Sequence, residues 1–179
     1  LTGVTKFGKV SVFSDLNNLQ DISLDNRYYN LCGIDEDELH GVLTPYVQRL
    51  ASVQKISLDK AYSELKRNYD GYHFSEDAHG MYNPFSVLNT LDNLKFGSYW
   101  FETGTPSYLV KLLINSNFRL EDFAEGGVTG DVLNSVDIAS SDPIPVIFQS
   151  GYLTIKGYYK DYDEYLLDFP NKEVKKGFL

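Results

Sequence analysis

The sequence predicts an α+β protein, mostly helical, that ends in a β-hairpin followed by a last helix. Three observations lead there. From residue 35 to about residue 115, apolar side chains recur at three- and four-residue spacing, the period of a helix with one buried face. Residues 152–159 and 165–169 alternate apolar with polar, and the turn-forming run from Lys160 to Glu164 separates them. Ser, Asp or Asn stands directly ahead of several of the periodic runs, where a helix needs its first N–H groups satisfied.

Taken in order, residues 1–16 read as a strand, a Gly-containing turn and a second strand-like stretch, closed by Asp15-Leu16-Asn17-Asn18. Leu24 to Gly33 reads as a short helix ended by Gly33. Asp35 then caps a helix with Glu38 three residues on, and the acidic first turn suits the helix dipole. Its predicted inner face is Leu39, Val42, Leu43, Tyr46, Val47 and Leu50. Pro45 interrupts this run, because it lacks an N–H and clashes with the carbonyl four residues back. Either the helix kinks there or a second one begins with Pro45 in its first turn. Ser57 caps the next helix, with the stripe Leu58, Ala61, Tyr62, Leu65 and Tyr69.

Tyr69 to Phe74, the turn Asp77-Ala78-His79-Gly80 and Met81-Tyr82 read as a small hairpin. It joins a helix capped by Asn83 with Pro84 in its first turn, and with Phe85, Leu88 and Leu91 facing inward. A further helix is expected from Thr105-Pro106 to about Asn115. Glu125-Gly126-Gly127 and Ala139-Ser140-Ser141 read as joints, with a short strand between Val128 and Val136. Asp142-Pro143 starts a short helix ending at Gly151, and Asn171 caps the final one. Helices followed by a two-stranded wing make residues 104–179 a winged-helix-like module. Its acidic wing turn (Asp161, Asp163, Glu164) repels phosphate, which favours a protein interface or a lid over a DNA reader.

Composition narrows the function classes. The chain has 179 residues, 42% hydrophobic and 23% charged, ordinary for a globular protein with a substantial core. A net charge of −9 argues against general binding of nucleic acid or anionic membrane, since phosphate contacts need clustered Lys and Arg. No apolar run reaches membrane-spanning length. The single cysteine, Cys32, excludes an intrachain disulfide and reads as a small buried side chain in a reducing compartment, which points to the cytoplasm. The chain begins without Met inside a strand pattern and ends inside a helix pattern. It is therefore read as a piece of a longer protein, with apolar edges that favour self-association.

Candidate chemistry is sparse. Gly3, four residues on, and Gly8-Lys9 nearly form a phosphate-binding loop, but Val10 stands where that loop places a magnesium-binding Ser or Thr. Residues 10–16 alternate like a strand instead of starting a helix. His40, His73 and His79 form no HExxH pair. Asp70 and His73 could pair as base and orienter, the basis for a metal-dependent hydrolase reading, although Asp70-Gly71 is also turn chemistry and Tyr69, Tyr72 and Phe74 are packing residues. No nucleophile elbow is present.

A set of stretches in fixed order resembles a known family. They are residues 1–7, 10–19 (Val10-Ser11-Val12-Phe13-Ser14-Asp15-Leu16-Asn17-Asn18-Leu19), Tyr69-Asp70-Gly71-Tyr72-His73-Phe74, Tyr82-Asn83-Pro84-Phe85-Ser86, Trp100-Phe101-Glu102-Thr103-Gly104-Thr105-Pro106, Gln149-Ser150-Gly151-Tyr152-Leu153-Thr154-Ile155 and Phe169-Pro170-Asn171-Lys172-Glu173-Val174. Together they resemble the bacterial AAA-ATPase-like proteins of gut Bacteroidales and related anaerobes, P-loop ATPases usually followed by a restriction-endonuclease-like domain. The resemblance implies that residues 1–24 are a remnant of the ATPase core, 25–103 a helical lid region with a small hairpin, and 104–179 the winged-helix-like module. It implies that Thr5 is a polar sensor of the nucleotide's terminal phosphate, with Lys6 beside it in the catalytic role and Lys6 or Lys9 adding positive charge towards the nucleotide. ATP and Mg would serve the full-length protein, and this chain alone would hold neither. Its partners would be the upstream P-loop core and the downstream nuclease-like domain. The phosphate loop and the magnesium-binding acid of that family are not in this chain. The rival readings are a winged-helix interaction module for protein or DNA, and the hydrolase on Asp70 and His73.

Overall fold

A computed structural model of the chain describes residues 20–76, 79–102, 126–135 and 142–178. The expected first strands, the helix from Thr105 and the residues around Ala139 lie outside them. The described residues form an α+β fold of helices and one small antiparallel sheet, organised around two apolar clusters.

The first cluster is helical. α1 (Glu36–His40) starts with the reciprocal cap read from sequence: Asp35 Oδ1 accepts from Glu38 N–H at 2.7 Å, and Glu38 Oε2 accepts from Asp35 N–H at 3.1 Å. α2 (Thr44–Gln54) is a separate helix with Pro45 in its first turn, which settles the kink-or-restart choice in favour of restart. The break at Gly41 resets the helical phase. Leu39, Val47 and Leu50 are fully buried, whereas Val42 and Tyr46 are 78% and 54% exposed, contrary to the single continuous face expected. α3 (Leu58–Tyr69) is capped by Ser57 and buries Ala61, Leu65 and Tyr69. α4 (Pro84–Asn93) is capped by Asn83, but its inner face is Ser86, Val87, Thr90 and Leu91; Phe85 and Leu88 point outward at 45% and 52% exposure. Cys32 is exposed, not buried, and the stretch before it forms only a 3-10 turn at Asn26–Tyr28.

The second cluster surrounds the sheet. After α5 (Tyr99–Glu102), the short strand β1 (Val128–Thr129) leads directly into α6 (Gly130–Asn134), so Gly130 to Asn134 of the expected strand are helical. α7 (Ile144–Gln149) comes next, ending at Gly151 with φ +80°. β2 (Thr154–Tyr159) and β3 (Glu164–Asp168) make the expected hairpin, and α8 (Lys172–Phe178) starts behind Asn171, whose Oδ1 accepts from Val174 N–H at 3.1 Å. β1 pairs with β3, so the sheet order is β1-β3-β2. Leu133, Ile147, Leu153, Ile155 and Val174 fill the space between helices and sheet.

The loop from Asp70 to Phe74 joins the two clusters. Tyr72 pairs with Met81 through two backbone bonds of 3.2 and 2.8 Å, and both side chains belong to the second cluster although α3 and α4 on either side belong to the first. Gly71 makes this possible. Its φ is +102°, and a Cβ there would run into the Pro170 carbonyl oxygen. Gly71→Ala is expected to lower stability by about 2 kcal/mol or more, through strain and that collision combined. Urea unfolding of the two proteins, monitored by circular dichroism, measures it.

Candidate functional site

The joint between the clusters gathers the chain's most unusual polar groups. Asp70 ends α3, because its backbone is extended there. Three residues on, His73 is held by its backbone: its N–H donates to Thr154 Oγ1 at 2.7 Å, and Thr154 Oγ1–H donates back to the His73 carbonyl at 3.1 Å. Thr154 itself is buried at the start of β2. These fixings aim Asp70 and His73 at one place, the face of Gly80. A Cβ at Gly80 would lie 2.8 Å from Asp70 Oδ1 and 3.3 Å from His73 Nε2. The glycine thus leaves room in which a carboxylate oxygen and an imidazole nitrogen converge.

Lys156 completes the group. The register of β2 against β3 shifts between Ile155 and Gly157, leaving Lys156 as the extra residue of a bulge. Its Nζ donates to the Gly71 carbonyl at 3.0 Å and the Pro170 carbonyl at 3.3 Å. A cation thereby ties together the two backbones that Gly71 lets approach.

The electrostatics reflect this crowding. Asp70 Oδ1 is buried and accepts no hydrogen bond. Burial raises the Asp70 pKa, against the opposing pull of the Gly71 N–H and the Lys66 charge. Burial also lowers the His73 pKa, and the Lys156 charge adds to that, while Asp70 pulls the other way. The Lys156 pKa is lowered by partial burial of its ammonium, countered by Asp168 and Asp70. Beside this group, Glu36 accepts from Tyr82 Oη at 2.6 Å and from Lys66 Nζ at 3.2 Å. Burial pushes the Tyr82 hydroxyl well up, and its bond to Glu36 adds to the shift.

The structure therefore places Asp70 and His73 around one space at Gly80, but no hydrogen bond or ion pair joins them, so the contact between a base and its orienter is not made. The other histidines are elsewhere: His40 stacks on Tyr62 with ring centroids 3.9 Å apart, and His79 meets the Tyr29 ring edge-on. Among the described residues no three His, Cys, Asp or Glu side chains gather in a way that could hold a metal ion. Asp70 and His73 alone are a two-ligand set. Thr5, Lys6 and Lys9, the residues assigned to nucleotide contact by resemblance, lie outside the described residues. Sequence reasoning missed Lys156, because a lysine in an alternating strand looks solvated and only the bulge re-aims it. It also took Gly80 for a turn residue alone.

Fold and site define an α+β protein whose two small cores are held together by a polar joint. No family model matches the chain, and no solved structure matches it. It is similar to an uncharacterized protein in the vnfD 5' region of Azotobacter chroococcum mcd 1, with 38% identity over 177 residues, covering 98% of this chain and 32% of that protein. The chain thus spans about a third of the length of the curated relative it matches.

The joint makes stability depend on pH in two ways. The raised Asp70 pKa means that the folded state disfavours its charge, a cost present above the folded pKa and absent below the unfolded value of 3.8. Asp70→Asn should therefore raise Tm at neutral pH, with the gain disappearing as the pH falls towards 3.8. The lowered His73 pKa has the opposite sense: stability is lost as the pH drops from the unfolded value of 6.5 through the depressed folded one. His73→Gln should flatten that part of the profile. Thermal melts of the three proteins at a series of pH values read both effects.

Proposed function

We propose that this chain is the lid and regulatory portion of an AAA-like P-loop ATPase, catalytically incomplete by itself. The observation that carries the reading is the arrangement after residue 126. A short strand (β1), two helices (α6 and α7) and a two-stranded wing (β2 and β3) occur in that order, and β1 pairs with the second wing strand to give the order β1-β3-β2. That order supports a winged-helix reading, and a winged-helix end on a helical region suits the lid of such an ATPase.

The chemistry of this module favours a protein-facing role. α7, the helix that would enter a DNA groove, is Ile-Pro-Val-Ile-Phe-Gln, with no Lys or Arg, and its Ile147 is fully buried. The hairpin tip carries Asp161, Asp163 and Glu164, with Asp163 accepting from Tyr158 Oη at 2.6 Å. α7 offers no cation and the tip only Lys160 among three acids, short of the clustered cations that phosphate contacts require. The described helices also include none long and apolar enough to cross a membrane.

The stretches that carry the family resemblance fit the same reading. Tyr69 to Phe74 is the joint, Asn83 caps α4, Gly151 ends α7, and Asn171 caps α8. They sit where one element is set against the next, as expected of a part that transmits position. In this reading Thr5, Lys6 and Lys9 face the phosphate loop of an upstream core, and ATP with Mg binds only when that core is present. The test is phosphate release from ATP by the full-length protein and by residues 1–179 alone. Turnover is expected only for the full-length protein, and Thr5→Ala should lower it by at least about tenfold if the residue senses the terminal phosphate. Turnover by the shorter chain would end the proposal.

A further inference from the structure

A groove of about 400 Å³ lies between α3, the loop after α4 and α8, away from the Gly80 face. Its floor is Phe96, Gly97 and Ser98, and that floor is rigidly held. The buried Tyr69 hydroxyl donates to the Gly97 carbonyl at 2.9 Å and accepts from the Gly97 N–H at 3.0 Å and from Thr90 Oγ1 at 2.8 Å. One wall is the α3 face with Lys60, Glu64 and Asn68; the other is α8 with Lys172 and Lys176.

The charges in this groove do not cancel. Glu173 also lines it, but its two carboxylate oxygens are engaged, one accepting from Ser86 Oγ at 2.7 Å and the other from Trp100 N–H at 2.9 Å. Glu64 is held by Lys60 at 2.8 Å and Arg67 at 2.6 Å. Lys172 and Lys176, one turn apart on α8, have no carboxylate within ion-pair distance among the described residues. Two exposed lysines without an ion pair line the groove together with a half-buried phenylalanine and Ile56. A volume in the range of ligand sites, apolar floor groups and two lysines on one wall together describe a small-molecule pocket.

We propose that this groove binds a small aromatic phosphomonoester, with the phosphate between Lys172 and Lys176 and the ring on Phe96 and Ile56. Phosphate accepts charge-assisted hydrogen bonds from both ammonium groups, and the fixed floor spares the site the cost of ordering itself. The Asn68 and Ser98 side chains stand at the groove to bond the ligand's polar edge. The site does not depend on the ATPase reading, since it is built wholly from this chain's described residues.

Phenyl phosphate and inorganic phosphate, titrated separately into residues 1–179 and monitored by amide NMR shifts, test the proposal. Phenyl phosphate should saturate, move the amides of Phe96 to Ser98 and of α8, and bind at least about tenfold more tightly than inorganic phosphate. The double variant Lys172→Glu, Lys176→Glu should weaken it by at least about tenfold at unchanged Tm, while Lys175→Glu, on the same helix but outside the groove, should leave it nearly as it was. Phe96→Ala should weaken phenyl phosphate and spare inorganic phosphate. Absence of saturation, shifts confined to other residues, or equal losses in the double variant and in Lys175→Glu would overturn it.

Discussion

The structure depends on one close approach, the Gly71 backbone against the Pro170 carbonyl. Each apolar cluster could be assembled from its own helices and strands, but their relative position is fixed at this contact. Lys156 reaches both carbonyls there, and Thr154 clasps both backbone groups of His73 beside it. On another side of the same joint, Glu173 at the start of α8 takes hydrogen bonds from Ser86 on α4 and from the Trp100 N–H of α5. Apolar packing alone tolerates small sliding movements, whereas these bonds weaken steeply with distance and angle. The two cores are consequently held in one orientation by directional polar contacts.

Such a joint is not the most stable solution available. A carboxylate oxygen buried without a donor costs free energy that an apolar side chain would not. The imidazole beside it is kept from its charged form by burial and by Lys156. Gly71 and Gly80 add backbone entropy to the unfolded chain, although each is required, one by its positive φ and the other by the two side chains against it. Folding by itself gains little from Asp70 facing His73 across Gly80.

How far the sequence could be read depended on the range of the interaction. Asp35 with Glu38, Ser57, Asn83 and Asn171 act over three residues, so every described helix they cap starts where the pattern places it. The hairpin was legible for the same reason. Orientation was not. Phe85 and Leu88 have helical spacing with Leu91, yet α4 turns Val87 and Thr90 inward because Tyr69 and Glu173 wait there to bond Thr90 and Ser86. Val42 was lost to the phase break at Gly41, and the two-residue β1 is defined by its pairing with β3, more than thirty residues away, which no local pattern shows. Asp70 with His73 was visible as a pair of residue types. What sets His73 beside the space at Gly80, the hold of Thr154 on its backbone from eighty-one residues away, leaves no local trace.

The same geometry bears on the lid reading. A part that reports the state of a neighbouring nucleotide site needs stiff units and a joint with few alternative settings, since a change at one end is otherwise absorbed on the way. Here the units are the α1–α4 cluster and the sheet with α6 to α8, and the joint is a set of hydrogen bonds in which the Lys156, Thr154 and Glu173 side chains hold backbone groups and Ser86. A shift of α3 carries Asp70 and Gly71 with it. Gly71 is tied through Lys156 to Pro170, so the start of α8 must move as well, and with it Glu173 and its hold on α4 and α5. The groove between α3 and α8 is formed by two of the elements that would move together, and a ligand with its phosphate on Lys172 and Lys176 and its ring on Phe96 and Ile56 would span from α8 to the residues that flank α3 and α4. Such a ligand would contact α8 without touching the Gly80 face.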